Sequence, residues 1–563
     1  MSSRTTSARR IARLLWPHLR PELPRLGLAL AIGLVLAALG AAQPLLTRIV
    51  IDQGLIGRHF GRLLEACLGM LALALAGFAL GLLHRLIYVR ASGRALFALR
   101  GAAYAHLMRV SPRRLAERPV GDLVTRLDGD VAEVQRFGTD AVATLFGSLL
   151  TIGVTAAVML ALSWRLTLLV ALLLPLQLGV RHYARAPLAA STRAVREAAG
   201  RVSGFLIETL AGARTVQGAG AGDAERARLG VLGEEYLARV LRAQLVGYGA
   251  GAAAGFLGNL VTAGIFVLGG WYVLQGSLSV GTLVAFVAYL TRSAGSAASL
   301  AGLYTGYQRA RVSLERVEEL LALPAVSEAA DALPLPAEAR GTLVLERVSL
   351  ALPREGRMLL DAVSVAIPAG SKLVLRGASG AGKTTLTDLL RRFVEPESGR
   401  ILLDGVPLGR YRLDALRRRV VVVEHSPLLV RGTILDNLRY GHWDVTEAAV
   451  LEAAMHAGVD DFVRELEHGY ETLVGEGGAG LSTGQRQRIA IARAALADPL
   501  IVILDEALSG LDREAARAVQ RALDDSFPAR TRIVITHQAT GTEEADLCWL
   551  LEAGTLRPAA LGS

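Results

Sequence analysis

Residues 243–291 run for 49 positions without an Asp, Glu, Lys or Arg. A bilayer core takes about 20 mostly apolar residues per helix. This one stretch is therefore long enough for two crossings, with Gln275-Gly276-Ser277 as the polar turn between them. Residues 26–47, 66–84, 141–164 and 166–180 add uncharged stretches of 22, 19, 24 and 15 residues. The last is short alone, but it is helical in character and can extend on either side. The pattern predicts six membrane-spanning helices; buried helices of a soluble protein do not require so many long uncharged runs. The first 25 residues carry six arginines, and no small-residue cleavage site follows the first apolar run. That run reads as a retained span rather than a signal peptide.

Charge divides the chain. Residues 1–325 hold 34 basic and 18 acidic side chains, and residues 326–563 hold 27 and 33. The net +10 is thus the sum of +16 and −6. A basic half can bind nucleic acid, or it can carry arginine-rich loops beside membrane spans. The loops decide for the second: 164–165 and the Gln275 turn are very short, whereas 85–137 and 181–241 are long and arginine-rich. The positive-inside rule places the N-terminus, both long loops and the C-terminus in the cytosol, and no nucleic-acid partner is expected. A hydrophobic share of 52% against 20% charged excludes a disordered or fibrous chain. Cys67 and Cys548 are too few and too far apart for a disulfide framework or a metal site.

Residues 320–340 contain Pro324, Pro334 and Pro336 among Ala and Glu, which reads as a linker. Beyond it, β-branched runs at 373–375, 420–423, 500–504 and 533–535 alternate with helical stretches, the pattern of an α/β domain with a largely parallel sheet. The expected organisation is a membrane domain over 1–322, a linker over 323–340 and an α/β domain over 341–563.

Gly377-Ala378-Ser379-Gly380-Ala381-Gly382-Lys383-Thr384 fits G-x-x-x-x-G-K-[ST], follows the strand 372–376 and precedes a helix expected from Thr385. Gly377, Ser379, Gly380, Gly382 and Thr385 are the candidate backbone cradle for phosphates, aided by the helix N-terminus. Lys383 is expected to reach the β- and γ-phosphates, and the Thr384 hydroxyl to bind Mg²⁺. Residues 500–504 form an apolar strand ending in Asp505-Glu506. Beside a P-loop, Asp505 is placed to hold Mg²⁺ and Glu506 to polarise an attacking water. Leu481-Ser482-Thr483-Gly484-Gln485 precedes a helical run over 486–496, and a Ser cap followed by Gly exposes N–H groups to a phosphate.

With these motifs in order, the chain resembles an ATP-binding cassette (ABC) transporter, specifically a half-transporter of the exporter type. Residues 481–485 look like the family signature, Ser509-Gly510-Leu511-Asp512 like the D-loop and Ile535-Thr536-His537 like the H-loop. Gly475-Glu476 resembles the loop that touches the membrane domain. Gln43-Pro44 to Asp52, and Gly121-Asp122 to Arg126-Leu127 with Asp130, resemble exporter membrane motifs; residues 208–216 resemble the second cytosolic loop, whose tip docks on the partner. The resemblance implies a dimer in which two cassettes sandwich two ATP molecules, with Ser482, Gly484, Gln485 and Asp512 serving composite sites and His537 contacting the γ-phosphate. It also implies a multi-pass protein of the lipid bilayer, expected in a bacterial cytoplasmic membrane with its cassette in the cytosol.

Two positions depart from the family pattern. His425 stands at the Q-loop glutamine, and Leu352 stands at the aromatic that stacks on adenine, giving apolar contact without a π-face. A neutral imidazole at His425 can still bind a metal or a water; the alternative is a plain loop residue. Thr483 and Gly477 are milder changes. Because Lys383, Asp505, Glu506, Ser482 and His537 are all present, ATP hydrolysis is expected, with a homodimer slightly favoured over a heterodimer. The expected cargo is amphipathic or hydrophobic: a lipid, drug or peptide. Import of a chelator complex on the same fold is the alternative. The spans hold almost no ionisable groups, and Gln43, Gln177, Tyr248, Asn259, Tyr289 and Tyr304 are either pathway residues or helix-packing groups.

Overall fold

The computed structural model describes residues 2–351, 358–378, 380–508, 513–536 and 545–559. Contacts divide the chain into two units, one of residues 1–104 and 121–321, the other of residues 105–120 and 322–563.

The helices up to residue 321 are α1 (Ser2–Leu19), α2 (Leu23–Ile49), α3 (Phe60–Leu107), α4 (Pro112–Ala116), α5 (Val120–Thr125), α6 (Val131–Leu162), α7 (Trp164–Ala211), α8 (Ala213–Gly218), α9 (Gly222–Leu274) and α10 (Val280–Leu321). Among the described residues, five segments are long and apolar enough to cross a membrane, containing α2, α3, α6, α9 and α10. The sixth long helix, α7, contains the uncharged stretch 166–180 within a continuous run of 48 residues. Helices of 42 to 53 residues, such as α10 and α9, exceed a bilayer's need by about twofold, so the arginine-rich loops are largely continuations of the spans. Leu75, Phe78, Leu172 and Val267 stand exposed, as lipid-facing side chains do.

Turns in the membrane unit follow local chemistry. Ser163 alone separates α6 from α7, and its Oγ accepts the N–H of Leu166, a side-chain cap at the helix start. Asp52 ties the end of the first span to the start of the last: its carboxylate accepts from Ser279 Oγ at 2.5 Å and from Gly281 N at 2.8 Å. Gly281 permits this approach, since a Cβ there would lie 2.7 Å from Arg48 O. Arg126 pairs with Asp122 and Glu319, each at 2.9 Å, and Asp130 accepts from Ser313 Oγ at 2.7 Å. Asp122, Arg126 and Asp130 belong to the motif around Gly121–Asp130, and Glu319 and Ser313 to α10. Tyr289, fully buried, donates to Ala41 O and therefore packs helices, whereas Tyr248 and Asn259 are exposed.

The second unit contains two sheets. One has the order β2-β1-β4-β5, from β1 (Leu343–Ala351), β2 (Met358–Ile367), β4 (Ser398–Leu403) and β5 (Val406–Pro407). The other runs β12-β11-β3-β10-β9-β6, from β3 (Lys372–Arg376), β6 (Val420–Glu424), β9 (Ile501–Asp505), β10 (Thr531–Ile535), β11 (Leu547–Glu552) and β12 (Thr555–Pro558). Its strands are parallel except β12. A short β7 (Gly432–Thr433) and β8 (Leu473–Val474) pair antiparallel. Helices α11 (Lys383–Leu390), α12 (Leu413–Arg419), α13 (Ile434–Arg439), α14 (Glu447–His456), α15 (Val459–Val463), α16 (Thr483–Leu496) and α17 (Arg513–Ser526) complete it. Ile501, Val502, Ile503 and Leu504 are buried along β9, the continuous apolar run of a strand covered on both faces.

The segment 105–120 is part of this second unit. Val326 N donates to Arg109 O at 2.8 Å, and His106 Nε2 lies 3.1 Å from Leu323 O. Residues ahead of β1 are also pinned to the unit: Leu333 N donates to Arg410 O, and the N–H groups of Arg340, Gly341 and Thr342 all point at the Asp404 carboxylate.

Candidate nucleotide site

The parallel register lines up the carboxyl ends of four strands. Glu424 of β6 pairs with Asp505 of β9, Asp505 with Ile535 of β10, and Ile535 with Leu375 of β3. The residues just beyond this row are His425, Glu506, Thr536 and the P-loop. Ligands of open α/β sheets bind at this edge, so motifs far apart in sequence converge because their strands end together.

Between β3 and α11 the chain must turn tightly. Gly380 and Gly382 have φ of +79° and +106°, values that glycine adopts at little cost. A Cβ on Gly377 would come within 2.6 Å of Leu551 O, so this loop start tolerates no side chain. Helix α11 begins at Lys383, two residues earlier than expected, so the lysine lies in its first turn. Lys383 is buried, and Nζ donates to Gly377 O at 2.7 Å and Ala378 O at 3.2 Å, with Glu506 Oε1 3.9 Å away. Burial pushes its pKa down, while Glu506 and Asp505 oppose that shift. Thr384 is exposed and Thr385 partly so. The lysine thus sits inside its own loop, in the space where phosphate oxygens would take over its carbonyl contacts.

Burial pushes the Asp505 carboxyl up, helped by neighbouring Glu506 and Glu424 and opposed by Lys383 and His425. A half-buried acid among acids gains from a cation bound beside it. Glu506 has φ of +52°, a strained conformation for a non-glycine residue. Its N–H donates to Ile535 O at 3.0 Å, and its carbonyl lies 3.2 Å from His425 Nδ1.

The signature residues form a complete helix cap. Ser482 Oγ accepts from Gln485 N at 3.2 Å, and Gln485 Oε1 accepts from Ser482 N at 2.8 Å, a capping box. Helix α16 therefore starts at Thr483, ahead of the expected Arg486, with Gly484 buried in its first turn. Among the described residues, neither Ser482 nor Gln485 hydrogen-bonds to the P-loop. Lys383, Asp505, Glu506 and His425 are brought together; among the described residues, the hydrogen bonds of Ser482 and Gln485 are those of their own helix cap. Leu352, Ser379, Asp512 and His537 lie outside the described residues.

Two contributors went unnoticed in the sequence. Gln487, completely buried on α16, donates through Nε2 to Glu424 O at 2.9 Å and His425 O at 2.6 Å. Its position five residues beyond the signature serine is the available signal. Arg113 of α4 acts electrostatically on half-buried Asp388 of α11, whose carboxyl burial pushes up and Arg113 pulls down.

The family model for the ABC transporter transmembrane region matches residues 26–293, and the ABC transporter model matches residues 360–509. The putative multidrug export ATP-binding/permease protein YgaD of Bacillus subtilis (strain 168) is 30% identical over 545 residues, covering 95% of this chain and 94% of that protein. This chain belongs to the ABC transporter family. An ATP-dependent lipid A-core flippase of Syntrophus aciditrophicus (strain SB) is 29% identical over 95% of this chain and 89% of its own length. A solved bacterial Atm1-family ABC exporter with ATP bound shares the fold, with a TM-score of 0.75 at 24% identity over 96% of this chain and 94% of that one. The ABC transporter described here is a half-transporter of exporter type, with one helical membrane part and one ATPase cassette that drives transport.

Proposed function

We propose that this half-transporter exports an amphipathic or hydrophobic substrate (a lipid, drug or peptide) across a bacterial cytoplasmic membrane, as a dimer with composite ATP sites. The domains of that exporter would be the membrane part over 1–322, the linker over 323–340 and the cassette over 341–563. The observation that carries the reading is the row of strand ends that gathers Lys383, Asp505, Glu506 and His425, while Ser482 and Gln485 are engaged with each other in a helix cap. A second cassette is needed to bring a Ser482 to each P-loop. The exposed tip between α7 and α8 supports a partner as well: Ile207 and Leu210 are 70% and 73% exposed there.

The donor set fits Mg²⁺ bound together with phosphates. Such an ion takes hard oxygen ligands and few protein groups, and Asp505 and Thr384 offer one carboxylate and one exposed hydroxyl beside a glycine cradle that side chains would fill. When bound, Mg²⁺ would neutralise charge on the transferring phosphoryl group. His425 is a third candidate contact. Lys383 exchanges its loop carbonyls for phosphate oxygens, and Glu506 orients and polarises the attacking water. The names of related proteins include multidrug export and lipid A-core flipping, which supports apolar cargo. A homodimer is favoured because the hydrolytic residues are all present.

The test is a ligand-stimulated ATPase screen of the purified chain in lipid nanodiscs, with Glu506→Gln as the blank. Stimulation by apolar compounds, and their uptake into inverted vesicles supplied with ATP, is the expected result. Wild-type activity no higher than the blank would require a different partner chain.

A further inference from the structure

The ATPase reading makes no use of a cavity of about 470 Å³ that opens among α1, α2, α3 and α6, wholly within the membrane unit. Its wall is aliphatic, with Ile11, Leu15 and Leu19 on α1, Leu26 and Leu30 on α2 and Val142 on α6. The volume falls within the range of about 300–1,000 Å³ typical of small-molecule sites. Polar groups gather on one side. Tyr88 Oη and Thr139 Oγ1 share a 3.0 Å hydrogen bond, and His84 stacks on Tyr88 with ring centroids 6.1 Å apart.

The enclosure is a product of close packing. Leu15 is 2% exposed and occupies the space that a Cβ on Gly138 would need, so α1 is seated directly on α6. Gly27, by contrast, lines the cavity, and a Cβ there would meet no atom within 4 Å.

Depth and charge point to the occupant. The lining positions belong to the ends of the uncharged stretches that face the arginine-rich side: Leu26 opens the first, Arg85 follows the second and Asp140 precedes the third. Helix α1 carries exposed Trp16, a residue type enriched at membrane interfaces, together with several arginines. Arg13 of α1 and Arg20, in the turn just past its end, are exposed and form no ion pair among the described residues. An arginine-bearing interfacial helix covering an aliphatic cavity complements an anionic amphiphile.

We propose that the cavity holds an acyl chain of an anionic phospholipid from the cytosolic leaflet, with the lipid phosphate outside it at Arg13 and Arg20. The aliphatic wall accepts the chain, and the two arginines select the headgroup. This is a resident lipid site, separate in purpose from the transported cargo.

The test uses the full chain in mild detergent, offered phosphatidylglycerol and phosphatidylcholine with identical acyl chains, with retained lipid counted by native mass spectrometry. Wild type should keep phosphatidylglycerol in preference. Each arginine near an anionic headgroup is worth about fivefold, so Arg13→Gln with Arg20→Gln should bring retention down to the phosphatidylcholine level. Gly27→Phe should put a ring into the cavity and lower retention of both lipids while the melting temperature holds; if that variant unfolds, Gly27→Leu replaces it. Equal retention of the two lipids by wild type, undiminished retention by a folded Gly27 variant, or displacement of the lipid by inorganic phosphate would overturn the proposal.

Discussion

His425 Nδ1 lies 3.2 Å from the main-chain carbonyl oxygen of Glu506. A hydrogen bond there requires a proton on Nδ1, which leaves Nε2 of the neutral ring free to accept. The Q-loop position is thus tied to the backbone of the residue proposed to activate water. One neutral hydrogen bond is worth about 1 kcal/mol, so His425→Ala should lower the steady-state ATPase rate about fivefold. His425→Gln should recover most of it. An unchanged rate in His425→Ala would make the histidine a bystander.

Gln487 holds that loop from the other side. Gln487→Leu removes the donor from two carbonyls, at Glu424 and His425, and should cost about 1–3 kcal/mol of stability. Because His425 is held by this contact, the ATPase rate should fall in parallel. A lower melting temperature with an unchanged rate per folded molecule would limit Gln487 to packing.

The ease with which these residues could be read from sequence differed for physical reasons. The P-loop and the Asp505-Glu506 pair are local: their chemistry needs a glycine turn or a strand end, and both leave a contiguous pattern. The long helices were legible because charges cannot be spread through a span. Gln487 was not legible, since a buried amide within a helix announces its partners only once β6 lies beside α16. Helix α16 starts three residues ahead of the run over 486–496 because Gln485 reaches back to Ser482 N, and this second half of the capping box fixes Thr483 as the first helical residue. The allocation of segment 105–120 to the cassette unit was equally hidden, resting on contacts such as Arg109 with Val326 that no periodicity records.

Gly377 tests the cradle. A methyl group there collides with Leu551 O at 2.6 Å, and overpacking typically costs about 1–3 kcal/mol. Gly377→Ala should weaken ATP binding in equilibrium titration and lower the melting temperature. Wild-type affinity would show that the loop start does not need to lie so close to β11.

His442 reports stability against pH. Burial first, then the charges of Arg418 and Arg493, hold its pKa below the ordinary 6.5. The unfolded chain therefore takes up this proton more readily than the folded one. The stability contributed by the neutral ring is complete above the unfolded value and is lost as pH falls through it toward the lower folded value. His442→Gln should flatten this part of the melting-temperature profile between about pH 7 and 5. An identical slope in the variant would contradict the assignment.

The central claim is that each ATP is held by Lys383 of one chain and Ser482 of the other. Differently tagged Lys383→Ala and Ser482→Arg chains, co-expressed and purified through both tags, test it most directly. Each variant alone forms dimers without an intact site. The mixed dimer contains one, made from the P-loop of the Ser482→Arg chain and the signature of the Lys383→Ala chain. The account predicts that the mixed dimer regains ATP hydrolysis and traps nucleotide on the Ser482→Arg chain. A mixed dimer as inactive as either parent, with no trapped nucleotide, would contradict it.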